Sequence, residues 1–318
     1  MKQITHSRSE KKEASTPKAL TDIVSRFDSY IRTHKPVQLV IPPLIVLVIA
    51  LIILGGMYVT TGSPVRLGFE FEGGTIITLA TADSHDLLRQ TFADYPVIDV
   101  RDSGSRRMIK FSPMSDDKQD SLTKKVNTDY EYAAPEIKQT GALYGKSLQT
   151  QALKAIVVSF CLMAVIVFLI FRTFVPSVAV VLSAFSDIAI AAAFIAVAGI
   201  ELSLGTVAAL LMLIGYSVDS DILLTTRLLK RRGNLDDKVT NAMTTGLTMT
   251  GTTLAAITVM YLIATYSYII IPSLPQISII SDISIVLIFG LFADLMNTWM
   301  LNTGILKWHL QRPRRRRA

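Results

Sequence analysis

The sequence predicts an integral membrane protein: an all-α bundle of six transmembrane helices, with a small extracytoplasmic α+β domain between the first helix and the second. Three observations carry this. Half of the 318 residues are hydrophobic, with a mean hydropathy of +0.44, more than a chain of this length places in a water-soluble fold. These residues are bunched into six runs that can each cross the hydrocarbon core, which takes about 20 residues at about 1.5 Å per residue. Lysines and arginines collect at alternate ends of the runs, and a mixed-charge segment, 61–150, parts the first run from the second.

Taken in order, residues 1–38 form a polar tail, too long and too charged for a secretory n-region. No small-residue cleavage site follows the first run, so that run (Leu39 to Val59; domain span 39–60) reads as an uncleaved anchor. Within 61–150, Val65 to Thr81 reads as a strand, with Gly73-Gly74 as a bend leading into it. Asp83 to Tyr95 reads as a helix capped by Ser84 or Asp83, and Val97 to Phe111 as strand split at Ser103-Gly104-Ser105. Asp116 to Tyr132 reads as a second helix, giving a small α+β unit. Residues 151–306 hold the other five spans: Ala152 to Phe171, Pro176 to Ala198, Leu204 to Thr226, Met243 to Tyr266 and Asp282 to Leu306. A basic tail, 307–318, closes the chain.

Orientation follows the positive-inside bias. Lys18, Arg26, Arg32 and Lys35 precede the first span, and Arg172 marks the turn after the second. Arg227, Lys230, Arg231 and Arg232 follow the fourth, and Lys307 with Arg314 to Arg317 follow the sixth. The alternate short loops, 199–203 and 267–281, contain neither lysine nor arginine. All six spans agree on cytosolic N- and C-termini. The cluster Arg312 to Arg317 reads as a topology anchor or an anionic-lipid contact rather than a nucleic-acid site, because it follows directly on a span.

Four aspartates fall inside the apolar runs: Asp187 in the third, Asp219 and Asp221 in the fourth, Asp294 in the sixth. Asp282, at the outer boundary of the sixth, reads as solvated. A carboxyl group at the bilayer centre costs about 2.5 to 3.5 kcal/mol on insertion scales, so such residues face a bundle interior or a wet cavity. Ser217, Asp221 and Thr225 share one face of the fourth helix, while Asp219 is turned about 200° away, beside Gly215 and Tyr216. Thr244, Thr248 and Thr252 make a stripe in the fifth helix, with Thr245 beside it. In the sixth, Asp294, Thr298 and Asn302 line up, with Asn297 one turn from Asp294. The threonines and asparagines read first as hydrogen-bonding glue between helices. The four acids, with no lysine or arginine in the spans to pair them, read instead as a proton or ion relay, Asp219, Asp221, Asp187 and Asp294, supported by Tyr216, Ser217, Thr245, Thr248, Thr252 and Asn297.

Two stretches carry a family resemblance: LGFEFEGGT at 67–75 and LSLGTVAALLMLIGYSVDSDILLTTRLLKRR, which ends at Arg232. The chain resembles the SecF family of the Sec export system in its archaeal form, a branch of the SecD/SecF group within the RND superfamily. Ser186-Asp187 stands where the family usually has His-Asp. MTTGLTMTGTTL at 243–254 is similar to its threonine-rich fifth helix, and Asp294 to Trp299 to its sixth. The resemblance implies half of an RND-type transporter, joined to SecD in a heterodimer at the cytoplasmic membrane. It implies use of the proton motive force, or of sodium in some species, to promote movement of unfolded exported polypeptide through the Sec translocation channel. Two departures stand out. Asp219 occupies the place of the aspartate in SecD-type Val-Asp-Ala-Asn motifs, whereas bacterial SecF has its acid one residue later, at Ser220 here. The fifth-helix arginine of bacterial SecF is replaced by Thr245, or by Thr244 if the gap is shifted.

Nothing points to an enzyme or a cofactor: there is no GxxxxGK[ST] loop, GxSxG elbow or HExxH, and one cysteine, Cys161, with four scattered histidines offers no metal set. Competing readings are a small-molecule or ion transporter subunit of the wider RND type and a passive membrane scaffold.

Overall fold

The structure, a computed structural model, describes residues 18–230, 233–270 and 277–311. Residues 1–17, Arg231, Arg232, the 271–276 part of the last short loop and the basic cluster from Arg312 onward lie outside the described residues. The chain begins with a helix inside what the sequence reads as plain tail, α1 (Lys18–Thr33). Its Phe27 and Ile31, four residues apart, pack against Leu224, Leu228, Met243, Trp299 and Leu306. That i, i+4 pair is the only signal of it, and it is too short to register as a span. α2 (Pro36–Thr61) follows, with Pro36 at its first position, where the missing N–H costs nothing.

The domain between the first two spans runs α3 (Phe69–Glu72), β1 (Gly74–Leu79), α4 (His85–Thr91), β2 (Val97–Ser103), β3 (Arg106–Phe111), α5 (Asp116–Asp129) and β4 (Glu136–Thr140). The expected strand from Val65 is corrected. Only Gly74 onward is strand, because Phe69–Glu72 coils into one helical turn that buries Phe71, and Gly73 and Gly74 (φ 83° and 127°) turn the chain into β1. Ser84 is the cap of α4, accepting from the Leu87 N–H at 3.2 Å. β4 lies at a sheet edge and has no sequence signal. The sheet order β2-β3-β1-β4 is antiparallel throughout, a ferredoxin-like split βαβ arrangement. One face is covered by α4 and α5 over Ile77, Leu79, Val100, Ile109 and Phe111, with Leu88, Phe92, Leu122 and Val126.

The bundle continues with α6 (Ala142–Phe171), α7 (Phe174–Ala198), α8 (Leu204–Lys230), α9 (Leu235–Ile270) and α10 (Ser278–Met296). α10 passes through a π-helical stretch (Asn297–Asn302) into α11 (Thr303–Gln311). Among the described residues six segments are long and apolar enough to cross a membrane: α2, α6, α7, α8, α9 and the α10–α11 run. α6 starts ten residues before the predicted Ala152, so its first turns rise beside α3, where Gln149 Nε2 donates to the Phe71 carbonyl at 2.8 Å. α9 overruns the predicted Met243–Tyr266 at both ends. α7, α8 and α10 form the centre, and α2, α6 and α9 flank them. Small residues on α7, among them Ser177, Ala179, Ser183, Ala184 and Ser186, are buried and let the backbones approach closely.

At the end away from the sheet, two of the cations read as topology charges are paired. Lys307 Nζ, almost fully buried, reaches Asp236 Oδ1 at 2.8 Å and the Ile31 carbonyl at 3.2 Å. Arg32 reaches Asp28 at 2.7 Å and Thr240 at 2.8 Å. Together they pin α1 across α9 and α11.

Candidate functional site

α7, α8 and the α10–α11 run each turn one aspartate toward the bundle axis, and Asp187, Asp221 and Asp294 are buried together there. Asp187 is held by two donors: Ser217 Oγ at 2.5 Å on one carboxyl oxygen and Asn297 Nδ2 at 2.6 Å on the other. Asp221 accepts from Asn302 Nδ2 at 2.8 Å and Thr298 Oγ1 at 2.9 Å, with the Ser183 hydroxyl close by. Asp294 meets Ser220 Oγ at 2.8 Å and Thr298 Oγ1 at 3.0 Å. Thr298 thus stands between two carboxyl groups of different helices. No hydrogen bond or ion pair brings a lysine or arginine to any of the three among the described residues. Nor, among the described residues, do three His, Cys, Asp or Glu side chains converge there in a way that would hold a metal ion. The hydroxyl and amide groups keep the acids apart while linking them.

The π-helical stretch matters here. A π turn widens the helix, and such turns recur at functional sites. This one carries Asn297, Thr298 and Asn302, all fully buried, to the three acids, and its own loosened backbone is taken up where Thr303 Oγ1 donates to the Thr298 carbonyl at 3.0 Å. Asn297 Oδ1, Asn302 Oδ1 and the hydroxyls of Ser186 and Thr225 are buried without a hydrogen-bond partner among the described residues, so the site has spare polar capacity.

Of the predicted site residues, Asp187, Asp221 and Asp294 meet at this point with Ser217 and Asn297; the fourth acid does not join. Asp219 lies on the outward face of α8 with the exposed Tyr216 and Gly215, lining a shallow groove with Met249, Thr250 and Thr253 of α9. The α9 stripe also stands apart. Thr245, Thr248 and Thr252 donate to their own helix at Asn241, Thr244 and Met249, at 3.2, 2.7 and 2.8 Å, so their hydroxyls do not tie α9 to its neighbours. Among the described residues none of these three hydroxyls is hydrogen-bonded to the acids. Ser220, Thr298 and Asn302 are the additions. Thr298 and Asn302 are on the Asp294 face by spacing, and Ser183 sits four residues before Asp187; Ser220 has no signal in spacing and is marked only by the resemblance, as the position of the bacterial acid.

Outside the spans a second polar region opens. A cleft of about 400 Å³ lies between the uncovered face of the sheet (Ile76, Thr78, Arg101, Met108) and the bundle end, where Glu201 and Asp282 line it. Asp282, expected to be solvated, is half-buried there. Glu70 lines the same cleft, and burial pushes its carboxyl above the ordinary range, with Glu201 adding to the rise.

Residues 118–312 match the family model described as protein export membrane protein SecD/SecF, C-terminal, which spans more than half of the chain. The chain belongs to the SecD/SecF family. It is 49% identical over 91% of its length to the protein-export membrane protein SecF of Methanolacinia petrolearia, covering 99% of that protein. It is 45% identical to the SecF of Haloferax volcanii and 42% to that of Pyrococcus furiosus, in each case over 86% of this chain and covering 92% and 91% of those proteins. The fold of this SecD/SecF family member is similar to the crystal structure of SecDF, a translocon-associated membrane protein from Thermus thermophilus, with a TM-score of 0.66 at 20% identity. That match covers 91% of this chain but 39% of the SecDF chain, so the chain spans well under half of that protein.

Proposed function

We propose that this SecD/SecF family member is the SecF-type half of a complex with a SecD-type partner. The complex promotes the passage of unfolded polypeptide through the Sec channel at the cytoplasmic membrane, drawing on the proton motive force. Both termini then lie in the cytosol and the sheet domain on the far side, the arrangement that the lysine and arginine distribution favours. Family membership supports the export role, and the arrangement of Asp187, Asp221 and Asp294 supports the proton.

The observation that carries the proton is a count of hydrogens. Thr298 has one hydroxyl hydrogen, yet its oxygen is within hydrogen-bonding distance of both Asp221 Oδ1 and Asp294 Oδ1. If Thr298 donates to Asp221, its contact with Asp294 is satisfied only by a hydrogen carried on Asp294, because an ionised carboxylate has none to give. One added proton closes a chain Asp294–Thr298–Asp221 across two helices, and its removal leaves the two carboxylates competing for the single Thr298 hydrogen, with Asn302 and Ser220 as their other donors. Protonation thus alters how α8 and α10 hold each other, which is the differential contact a conformational cycle requires.

The test is export of a reporter in cells that depend on this chain, comparing wild type with the Asp221→Asn/Asp294→Asn double variant. Export falls to the level of cells lacking the chain while the protein accumulates normally and co-purifies with its partner. Undiminished export by that double variant rejects the relay.

A further inference from the structure

The five-residue connection Gly199–Ser203 joins the helix that carries Asp187 to the helix that carries Asp221, and it is also where the bundle grips the sheet domain. The grip has two parts. Leu202 makes a parallel β-bridge with Leu67, its N–H donating to the Arg66 carbonyl at 2.7 Å and its carbonyl accepting from the Gly68 N–H at 2.8 Å. Beside it, Lys110 Nζ on β3 reaches both carboxyl oxygens of Glu201 at 2.9 Å. Lys110 is 8% exposed, and its neighbour Ile109 belongs to the domain core, so the pair ties that core and not a surface loop.

The connection is stiff at both ends. Gly199 closes α7 in the left-handed region (φ 69°), with the Ile200 N–H returning to the Ile195 carbonyl at 3.1 Å. Ser203 and Thr206 cap α8 reciprocally, each side chain meeting the other's backbone N–H at 2.7 and 3.2 Å. Gly68 is required at the bridge, because a Cβ there would stand 2.8 Å from the Leu202 carbonyl oxygen. The domain also packs on α6, where Gln149 meets the Phe71 carbonyl, and α6 carries none of the three acids.

We propose that this corner is a coupling joint: Glu201 and the Leu202 backbone hold the sheet domain, through Lys110 and Gly68, to the two acid-bearing helices, so that a shift of α7 against α8 swings the domain as one body. Asp187 is twelve residues from Gly199, roughly 18 Å along α7, a lever of rigid helix. Glu201, Lys110 and Gly68 are positioning residues in this scheme. The inference rests on the relay reading of the three acids.

The test uses the full chain with its partner, in cells that depend on it. Glu201→Lys and Lys110→Glu each lower reporter export roughly fivefold or more, and the double swap restores it. Spin labels at Tyr132 in the domain and Phe174 on the bundle, in a Cys161→Ser background, supply the readout that mere stabilisation would not move. Asp221→Asn/Asp294→Asn shifts the label distance when the corner is intact and leaves it unshifted with Glu201→Lys. A Leu67→Cys/Leu202→Cys disulfide, placed across bridged backbone, leaves export at its reduced level. Three outcomes overturn the joint without touching the relay: normal export by Glu201→Lys while the acid variants fail, a label shift that survives Glu201→Lys, or loss of export on oxidation that reductant reverses. Normal export by the acid variants instead removes the relay itself.

Discussion

α8 presents two aspartates two residues apart to two different environments. Asp221 is fully buried and held by Asn302 and Thr298 from the neighbouring helix. Asp219, on the opposite side, is exposed beside Tyr216 over a groove formed with α9. Residue type, helix and depth are nearly the same; helical phase alone separates them. The inner acid takes both donors on Oδ1 from within this chain, while its Oδ2 is buried without a hydrogen-bond partner among the described residues. A carboxyl group facing lipid at the bilayer centre costs about 2.5 to 3.5 kcal/mol, and the proposed SecD-type partner is what would cover Asp219. One acid is therefore read as serving the relay and the other the interface, and substitutions can be sorted by which face they touch.

The largest effect comes from Asp221→Ala. It removes the acceptor of Asn302 Nδ2, at about 1–3 kcal/mol for a buried donor left unsatisfied, while the Thr298 hydroxyl keeps Asp294 as its acceptor. Thermal unfolding of the purified chain shifts clearly downward, and export stops. Asp221→Asn keeps an acceptor oxygen and loses the ionisable carboxyl, so it is expected to unfold close to wild type while export still fails. If Asp221→Asn exports as well as wild type, the inner face has no relay to lose. Thr298→Val is a smaller, sharper change. It preserves shape and removes the hydroxyl between Asp221 and Asp294, costing on the order of 1 kcal/mol. Export falls by more than that loss of stability explains, measured as export per folded chain at a temperature well below the midpoint.

Much of this contrast is legible in the amino-acid sequence alone. A run of about 20 apolar residues has few other physical explanations, so all six spans are legible, and the 100° step per residue puts Asp219 and Asp221 on opposite faces. Which face points inward is not legible, because α8 is apolar on both sides of that axis and hydropathy does not separate lipid from core. The threonine row of α9 misleads for a related reason: spacing shows that hydroxyls share a face, not whether they bond to their own helix, as Thr248 does. Ser220 reaches Asp294 only through tertiary packing. In the sheet domain β4 escapes because Glu136–Thr140, a short edge strand, is polar at every position but Ile137. The Phe69–Glu72 turn escapes because its alternating aromatic and acidic residues imitate a strand.

The smallest expected effect is on the outer face, and it decides whether the contrast is one of function or only of burial. Asp219 makes no hydrogen bond or ion pair with Tyr216, Met249 or Thr253, its neighbours at the groove, so Asp219→Leu removes no contact that holds the isolated chain together. Substitutions away from packing and polar networks change stability by about 0.5 kcal/mol or less. The variant chain, purified alone in detergent, is therefore expected to unfold within a degree or two of wild type (roughly the shift that such a change produces). Co-purification with the SecD-type partner is expected to weaken, because a leucine offers nothing to whatever polar group meets Asp219 across the interface. A large loss of stability in the isolated chain would mean that Asp219 is part of the internal network after all, and that phase does not divide the two acids. Unchanged stability with unchanged partner recovery and unchanged export would leave Asp221 as the only working aspartate of α8.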